Sequence, residues 1–164
     1  MTEQASQNIH AQPRIRSVVV NVGVGKTRDQ AETMLAVQRD LRAVTGQQPH
    51  ERRARRAVAG FNVRQGNLVA YRVTLRGQRM NDFVTRFVRA TLPRVRDFRG
   101  LAASSLDGQG NLNVGLSEQL AFPEIQPEKT DVVFGLQVTF VTTAQTNEEA
   151  LAMFKEHGFP FRED

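Results

Sequence analysis

Residues 67–76 read NLVAYRVTLR, a stretch in which apolar and polar side chains alternate. This period of two predicts a β-strand, because successive side chains of a strand point to opposite faces of its sheet. The apolar face consists of Val69, Tyr71, Val73 and Leu75. The polar face consists of Arg72, Thr74 and Arg76. The strand is therefore expected to bury one face in a core and to leave a basic face outside.

Two more strands and a first helix are predicted around this stretch. Residues 15–22 (IRSVVVNV) are rich in β-branched side chains and residues 136–142 alternate, so both are predicted as strands. Residues 28–44 are predicted as a helix that begins at a capping box of Thr27 and Gln30 and stops at Gly46. Its inner face is expected to hold Ala31, Met34, Leu35, Gln38 and Leu41.

Two further helices and two loops complete the pattern. A second helix is predicted over residues 78–91, with Pro93 as its stop. Its apolar side is expected to hold Met80, Phe83, Val84, Phe87 and Val88, opposite Arg79, Arg86 and Arg89. A third helix begins at a capping box of Thr146 and Glu149 and stops at Gly158. Residues 49–66 are predicted to form a long loop or a splayed hairpin, and residues 94–115 a glycine-rich loop.

Positive charge is concentrated in residues 52–99, where 13 arginines face two aspartates for a net charge of +11. The residues after Gly100 hold three basic and ten acidic side chains, a net charge of −7. A GC-rich genome would explain a general excess of arginine over lysine, but only binding to phosphates and bases explains the clustering. The arginines therefore predict a nucleic-acid partner, because each phosphate contact releases condensed counterions.

Strands interleaved with one-sided helices predict an α+β fold. We expect a largely antiparallel sheet with helices packed on one face, an RNA-binding surface on the opposite face and one long projecting basic loop. Residues 1–12 are predicted to be a flexible polar tail. Residues 13–164 are predicted to form a single domain, which is the default for a chain of 164 residues.

Composition argues against several other classes of protein. The chain has no cysteine, which excludes disulfides and thiolate metal sites, and its three histidines are scattered. No apolar run reaches the roughly 20 residues that cross a bilayer, and the N-terminal residues lack the pattern of a signal peptide. We therefore expect a soluble, cytoplasmic protein that uses no membrane, metal or cofactor.

Residues 20–27, VNVGVGKT, resemble a phosphate-binding loop between a strand and a helix. The full pattern G-x-x-x-x-G-K-[ST] requires a glycine where Val20 stands. The same residues are explained by a strand-to-helix turn with Thr27 as the helix cap. No histidine has a serine or aspartate partner in the local sequence, and no G-x-S-x-G motif occurs. The chain is therefore predicted not to be an enzyme, with nucleotide hydrolysis as one alternative and DNA binding as another.

Seven blocks of the chain, in order, resemble the L5 family of large-subunit ribosomal proteins. They are VVVNVGVG (18–25), TGQQP (45–49), RARRAVAGFNVRQG (53–66), VTLRGQRM (73–80), LPRVRDFRGL (92–101), SLDGQGNLNVGLSEQLAFPEI (105–125) and GLQVTFVTTAQTNEEALAMF (135–154). The ending FPFR (159–162) also fits. Family members usually carry a further helix before the first strand, whereas here a polar tail precedes Pro13. Contacts made by that helix are expected to be missing or supplied by something else.

The resemblance implies a structural constituent of the large subunit that binds 5S ribosomal RNA in the central protuberance. Implied partners are peptidyl-site transfer RNA, large-subunit ribosomal RNA, neighbouring 5S-associated ribosomal proteins and a small-subunit head protein. The implied 5S-binding residues are Asn21, Gly23, Gly25, Gln47, Arg72, Thr74 and Arg76. The implied transfer-RNA-contacting loop carries Arg53, Arg55, Arg56, Gly60, Phe61 and Arg64. Residues 105–115 are implied to face the small subunit, and the acidic C-terminal third is expected to meet protein or water.

Several of these residues have a purely structural alternative. Four glycines either permit positive φ angles in turns or let RNA approach the backbone: Gly23, Gly25, Gly60 and Gly66. Phe61 either stacks on a nucleotide or tucks under its own loop. The helix arginines Arg86 and Arg89 contribute either contacts or a general positive field, and Asp97 is a candidate ion-pair partner for its neighbouring arginines.

Overall fold

The structure, a computed structural model, describes residues 12–27, 29–130 and 132–162, so the predicted tail lies outside the described residues except for Gln12. Five strands form one sheet in the order β2-β3-β1-β5-β4, and every neighbouring pair is antiparallel. The strands are β1 (Ile15–Gly23), β2 (His50–Arg53), β3 (Leu68–Leu75), β4 (Leu112–Leu116) and β5 (Leu136–Thr142). The α-helices among the described residues are α1 (Ala31–Thr45), α2 (Gly77–Arg86) and α3 (Asn147–Glu156). The α+β prediction is confirmed.

One face of the sheet is buried because β1, β3, β4 and β5 alternate between buried and less buried residues, as residues 67–76 predicted for β3, whereas all four residues of β2 are exposed. Val20 pairs with Val73 on one side and Val138 on the other, and Val138 pairs with Val114. These four valines are at most 6% exposed and form a row across the sheet. Branched side chains suit this position, since they pack well on a pleated surface.

Phenylalanine rings join the helices to the same face of the sheet. Phe140 of β5 is fully buried, and its ring centroid lies 5.3 Å from that of Phe87 and 5.0 Å from that of Phe159. Phe154 of α3 lies 6.2 Å from Phe140. The core therefore lies between one sheet face and the helices, and the opposite face of the sheet is not covered by them.

Two details predicted for the first helix are wrong. α1 begins at Ala31, and its N-cap is Gln30 rather than Thr27. The backbone N–H of Gln30 donates to the carbonyl of Thr27 at 3.0 Å, so Thr27 belongs to a separate turn before the helix. The inner face consists of Met34, Val37, Leu41 and Val44, whereas Ala31 and Leu35 are exposed. Relative to the predicted orientation, the helix is rotated so that Val37 and Val44 face the core. The predicted stop at Gly46 is confirmed by the φ of +67° of this residue.

The second helix is shorter than predicted. α2 ends at Arg86, and a π-helical turn over Phe87–Thr91 and a 3-10 turn over Leu92–Arg94 follow. Pro93 has no N–H to continue the α-helical pattern, and the backbone N–H of Leu92 bonds instead to the carbonyl of Phe87. Residues 94–115 also contain most of a strand, β4, in what was predicted to be a loop; the alternation of Leu112, Val114 and Leu116 carried that signal.

The third helix starts as predicted. The Thr146 side chain accepts a hydrogen bond from the backbone N–H of Glu149 at 3.3 Å, and the Glu149 carboxylate accepts one from the N–H of Gln145 at 3.1 Å. Gly158 beyond the helix has a φ of +82°. Both ends of this helix were therefore set by local sequence.

Candidate nucleic-acid interface

The open face of the sheet is polar across its whole width. In an antiparallel sheet, residues directly opposite each other place their side chains on the same face. One row across this face is His50, Arg72, Asn21, Gln137 and Gly115. The next row is Thr74, Val19, Thr139 and Asn113. We call these two rows the polar sheet face; they bring together Asn21, Arg72 and Thr74, as the sequence predicted.

The two halves of the polar sheet face differ in their hydrogen bonds. On β4 and β5, the carboxamide oxygen of Asn113 accepts from the Thr139 hydroxyl at 2.7 Å and from the Gln137 amide at 3.3 Å. On β3, Arg72 is exposed and forms no ion pair within the described residues. The guanidinium of Arg72 is therefore available to a phosphate beside a preorganised set of amides and hydroxyls.

Gln47 and Arg76 lie at the end of β3. The Gln47 side-chain amide donates to the carbonyl of Thr74 at 3.2 Å, beyond the point where β2 stops pairing. Gln47 thus lies beside Thr74 of β3, and its side chain also serves as the hydrogen-bond donor to that strand carbonyl. Arg76 is exposed and directly precedes α2 as its N-cap residue.

Gly23 and Gly25 follow Asn21 at the end of β1. Neither has a positive φ, and a Cβ atom added to either would meet nothing within 4 Å. The same holds for Gly60, whereas Gly66 has a φ of +87°. The turn explanation therefore applies to Gly66, and the fold itself requires glycine at none of the other three positions.

The resemblance to a phosphate-binding loop does not extend to the structure. Val20 is fully buried in β1, and α1 begins four residues after Thr27, so Lys26 and Thr27 do not open a helix as that motif requires. The described residues contain no group of three His, Cys, Asp or Glu side chains that could hold a metal ion. None of their helices is long and apolar enough to cross a membrane.

Residues 54–67, between β2 and β3, form a folded hairpin that we call the basic arm. At its base, the N–H of Ala54 donates to Asn67 at 2.8 Å and the N–H of Gly66 donates to Ala54 at 2.9 Å. Toward its tip, Val58 and Val63 exchange backbone hydrogen bonds of 2.8 and 3.1 Å. The splayed hairpin is confirmed, with β2 as an additional paired strand at its foot.

Most side chains of the basic arm are exposed. Arg55, Arg56 and Arg64 are exposed and form no ion pair with a described residue. Arg53, at the foot, pairs with Glu51 at 2.7 Å. The Phe61 side chain is 78% exposed, so it does not tuck under the loop. An exposed ring among arginines is a stacking platform for a base or sugar.

The remaining arginines divide into structural and exposed ones. Arg86 forms an ion pair with Glu124 and donates to the carbonyl of Val44 at 3.4 Å, so it connects α2 to α1 and to residue 124. Arg79 and Arg89 are exposed on the second helical segment. Asp97 has a φ of +53° and pairs with no arginine among the described residues.

Residues 107–111 form a compact loop away from the basic arm. The Asp107 carboxylate accepts hydrogen bonds from the N–H groups of Gln109 and Asn111 and from the Asn111 side chain, at 2.7–3.0 Å. Desolvation by burial acts against ionisation, but these hydrogen bonds hold the pKa of Asp107 below its usual value. Gly110 packs so closely on Ala144 that an added Cβ would lie 2.9 Å from the Ala144 carbonyl oxygen.

Sequence reasoning missed part of the polar sheet face. His50, Asn113, Gln137 and Thr139 lie in the same two rows as the predicted residues. The alternation of residues 136–142 placed Gln137 and Thr139 on one face, but nothing local showed that this face adjoins Asn21. Only the pairing of β1 with β5 does so.

Comparison with known proteins gives a consistent result. Residues 8–64 match the family described as "Ribosomal protein L5", and residues 68–161 match the C-terminal part of the same ribosomal protein family. The "Large ribosomal subunit protein uL5" of Carboxydothermus hydrogenoformans is 50% identical over 149 residues, which cover 91% of this chain and 83% of that protein. The protein of the same name from Halothermothrix orenii is 45% identical over 157 residues, covering 96% and 88%. That from Microcystis aeruginosa is 44% identical over 155 residues, covering 94% and 87%.

Proposed function

Because the chain belongs to the ribosomal protein L5 family and is a structural, non-enzymatic constituent of the large ribosomal subunit, we propose that it binds 5S ribosomal RNA through the polar sheet face. The observation that carries the proposal is the row in which exposed Arg72 lies opposite Asn21, next to Gly23 with open space above its backbone. This contact would hold the protein in the central protuberance.

The chemistry of the polar sheet face suits folded RNA. Arg72 and Arg76 offer guanidinium groups to phosphates, while Asn21, Thr74 and Gln137 offer the donors and acceptors that read 2′-hydroxyls and unpaired base edges. β1, β3 and β5 are each paired on both sides, so the backbone that carries these groups is fixed before RNA arrives. A fixed backbone limits the entropy lost on binding to the side chains, which favours a specific over a purely electrostatic contact.

Binding of a 5S RNA transcript to the full chain tests the proposal. The logarithm of the affinity should fall linearly with the logarithm of salt concentration, and Arg72→Ala should weaken binding and lower that slope by about one unit. Arg79→Ala removes the same charge from the exposed side of α2 and should have a smaller effect. Equal affinity for random duplex DNA at matched salt would show that the face is a general polyanion surface.

The basic arm is proposed to contact peptidyl-site transfer RNA. Its exposed Arg64 offers phosphate binding without base readout, as a contact with every transfer RNA would require. Arg64→Ala should weaken transfer RNA binding at the peptidyl site several-fold while 5S binding is retained. The control is Arg79→Ala, which removes the same charge from α2, and an equal loss in both variants would contradict the assignment.

The acidic first turn of α3 and the adjoining loop 107–111 are proposed to contact another protein. Glu148 and Glu149 are exposed in the first turn of α3, where the helix dipole favours acids, and the loop 107–111 lies against the residues before this helix. A surface with this charge repels RNA and attracts a basic protein, such as one of the small-subunit head or a neighbouring 5S-associated protein. Crosslinking from Gln109 to ribosomal RNA rather than to protein would contradict this placement.

A further inference from the structure

A groove of about 1380 Å³ lies beneath the basic arm. The core residues Val22, Val24 and Val37, at the end of β1 and in α1, lie behind the groove and are almost completely buried. Four large apolar side chains of the described residues are exposed, and three of them, Val58, Phe61 and Val133, line this groove. Apolar surface gathered in this way on a charged protein marks a binding site.

The groove is bounded by segments that are held in place. On one side, the N–H of Val24 donates to the carbonyl of Val69 at 2.9 Å, which joins the end of β1 to β3. On the other side, the buried Gln119 side chain donates to the carbonyl of Val132 at 2.6 Å and accepts from the N–H of Phe134 at 3.0 Å. The walls are thus preformed rather than created by a ligand.

The rim of the groove is cationic. The charged lining residues are Lys26, Arg55 and Arg56, with Asp29 as the single acid. The exposed Val58 and Val133, the exposed aromatic ring and the cationic rim together match a nucleotide, whose base is flat and weakly polar and whose phosphate is anionic. An acidic peptide with apolar side chains would match the valines and the rim but would make no use of the exposed ring.

Gly23 connects the groove with the polar sheet face. It lines the groove and also pairs with Ala70 in the row next to Asn21 and Arg72. Because Gly23 and Gly25 have no side chain and open space around them, a flat group can lie directly on this backbone. The groove therefore adjoins the polar sheet face at Gly23.

From these features we infer that the groove is a pocket for an unpaired nucleotide of ribosomal RNA, with its base against Phe61 and its phosphate at Lys26, Arg55 and Arg56. The inference rests on the proposed function, since it takes the adjoining sheet face to contact ribosomal RNA. It adds an anchor for one stacked base, which accepts any of the four bases. Phe61, Arg55 and Arg56 then serve the groove, and Arg64 is left for the contact of the arm with transfer RNA.

The test is photocrosslinking in assembled large subunits that carry the full chain, with p-benzoylphenylalanine in place of Val133. Without transfer RNA, the crosslink should map to an unpaired ribosomal RNA nucleotide. Phe61→Ala should lower its yield about tenfold, as expected for the loss of one stacked base, and Phe61→Tyr should retain it. The same photoreactive residue in place of Leu35, the exposed apolar residue outside the groove, should not give this crosslink.

Four results would overturn the inference: no crosslink, a crosslink to protein, a crosslink to a base-paired segment, or one that appears only when transfer RNA is added. The proposed 5S contact is judged separately by the effect of Arg72→Ala on binding of the 5S transcript. Loss of the groove crosslink with retained dependence on Arg72 would reject the nucleotide pocket and leave the proposed function standing.

Discussion

The polar sheet face and the basic arm both expose arginine side chains, but different interactions stabilise the two regions. Behind the sheet face lies the row of Val73, Val20, Val138 and Val114, which is almost completely buried. The arm, residues 54–67, contains no buried residue and depends on its own backbone hydrogen bonds. Binding groups on the sheet are thus coupled to the stability of the whole protein, whereas binding groups on the arm are not.

The largest effect is expected from comparing two phenylalanines, one behind the sheet face and one on the arm. Phe140→Ala removes a fully buried ring that contacts three others and should reduce the free energy of unfolding by about 3–5 kcal/mol. Phe61→Ala removes an exposed ring and should change it by less than about 0.5 kcal/mol. Urea denaturation measures both, and similar losses would show that the arm is part of the cooperative core.

Substitution of two glycines tests the same comparison, with a smaller expected change in stability. Gly66→Ala places a side chain at a φ of +87° at the base of the arm and should cost about 1 kcal/mol of stability. Gly23→Ala introduces neither strain nor a clash, so stability should rise by up to about 1 kcal/mol while affinity for the 5S transcript falls. Full 5S affinity in the Gly23 variant would refute close approach of RNA to this backbone.

The smallest effect is expected in the loop 107–111. Asp107 in this loop is exposed, as the arm is, but the loop is also hydrogen-bonded to Asn147 of α3. Because the pKa of Asp107 is lowered in the folded state from 3.8, its contribution is complete above pH 3.8 and is lost as the pH falls through the folded pKa. The protection factors of the Gln109 and Asn111 amides, which are exchange rates corrected for the intrinsic effect of pH, should therefore fall only below pH 3.8. Asp107→Asn should abolish this pH dependence, and a loss of protection that begins at higher pH would contradict it.

The elements were predictable where local chemistry decides them. Alternation placed β3 and β5, β-branched composition placed β1, and the capping box of Thr146 and Glu149 placed the start of α3. The prediction was wrong where distant contacts compete with local signals. Thr27 looks like a helix cap but lies in a turn, and Leu35 looks like a core residue but is exposed because Val37 and Val44 face the sheet.

The candidate site follows the same division. Arg72 and Thr74 could be assigned to one face from the spacing in β3 alone. Arg86 was indistinguishable in sequence from Arg79 and Arg89, since its use in an ion pair with Glu124 depends on how α2 packs. The groove beneath the arm brings together Val24, Phe61 and Val133, which are far apart in the chain, and no sequence pattern connects them.

By itself, the sequence determined β1, β3 and β5, the ends of α3, the basic segment and the membership of a ribosomal protein family. These depend on neighbouring residues or on the order of motifs along the chain. Only the tertiary structure decided that His50, Arg72, Asn21 and Gln137 share one row, that Gly23 and Gly25 lie beside open space, and that a groove separates the arm from the body. The reason is that strand register and side-chain burial are set by pairing and packing between distant segments, which local chemistry does not specify.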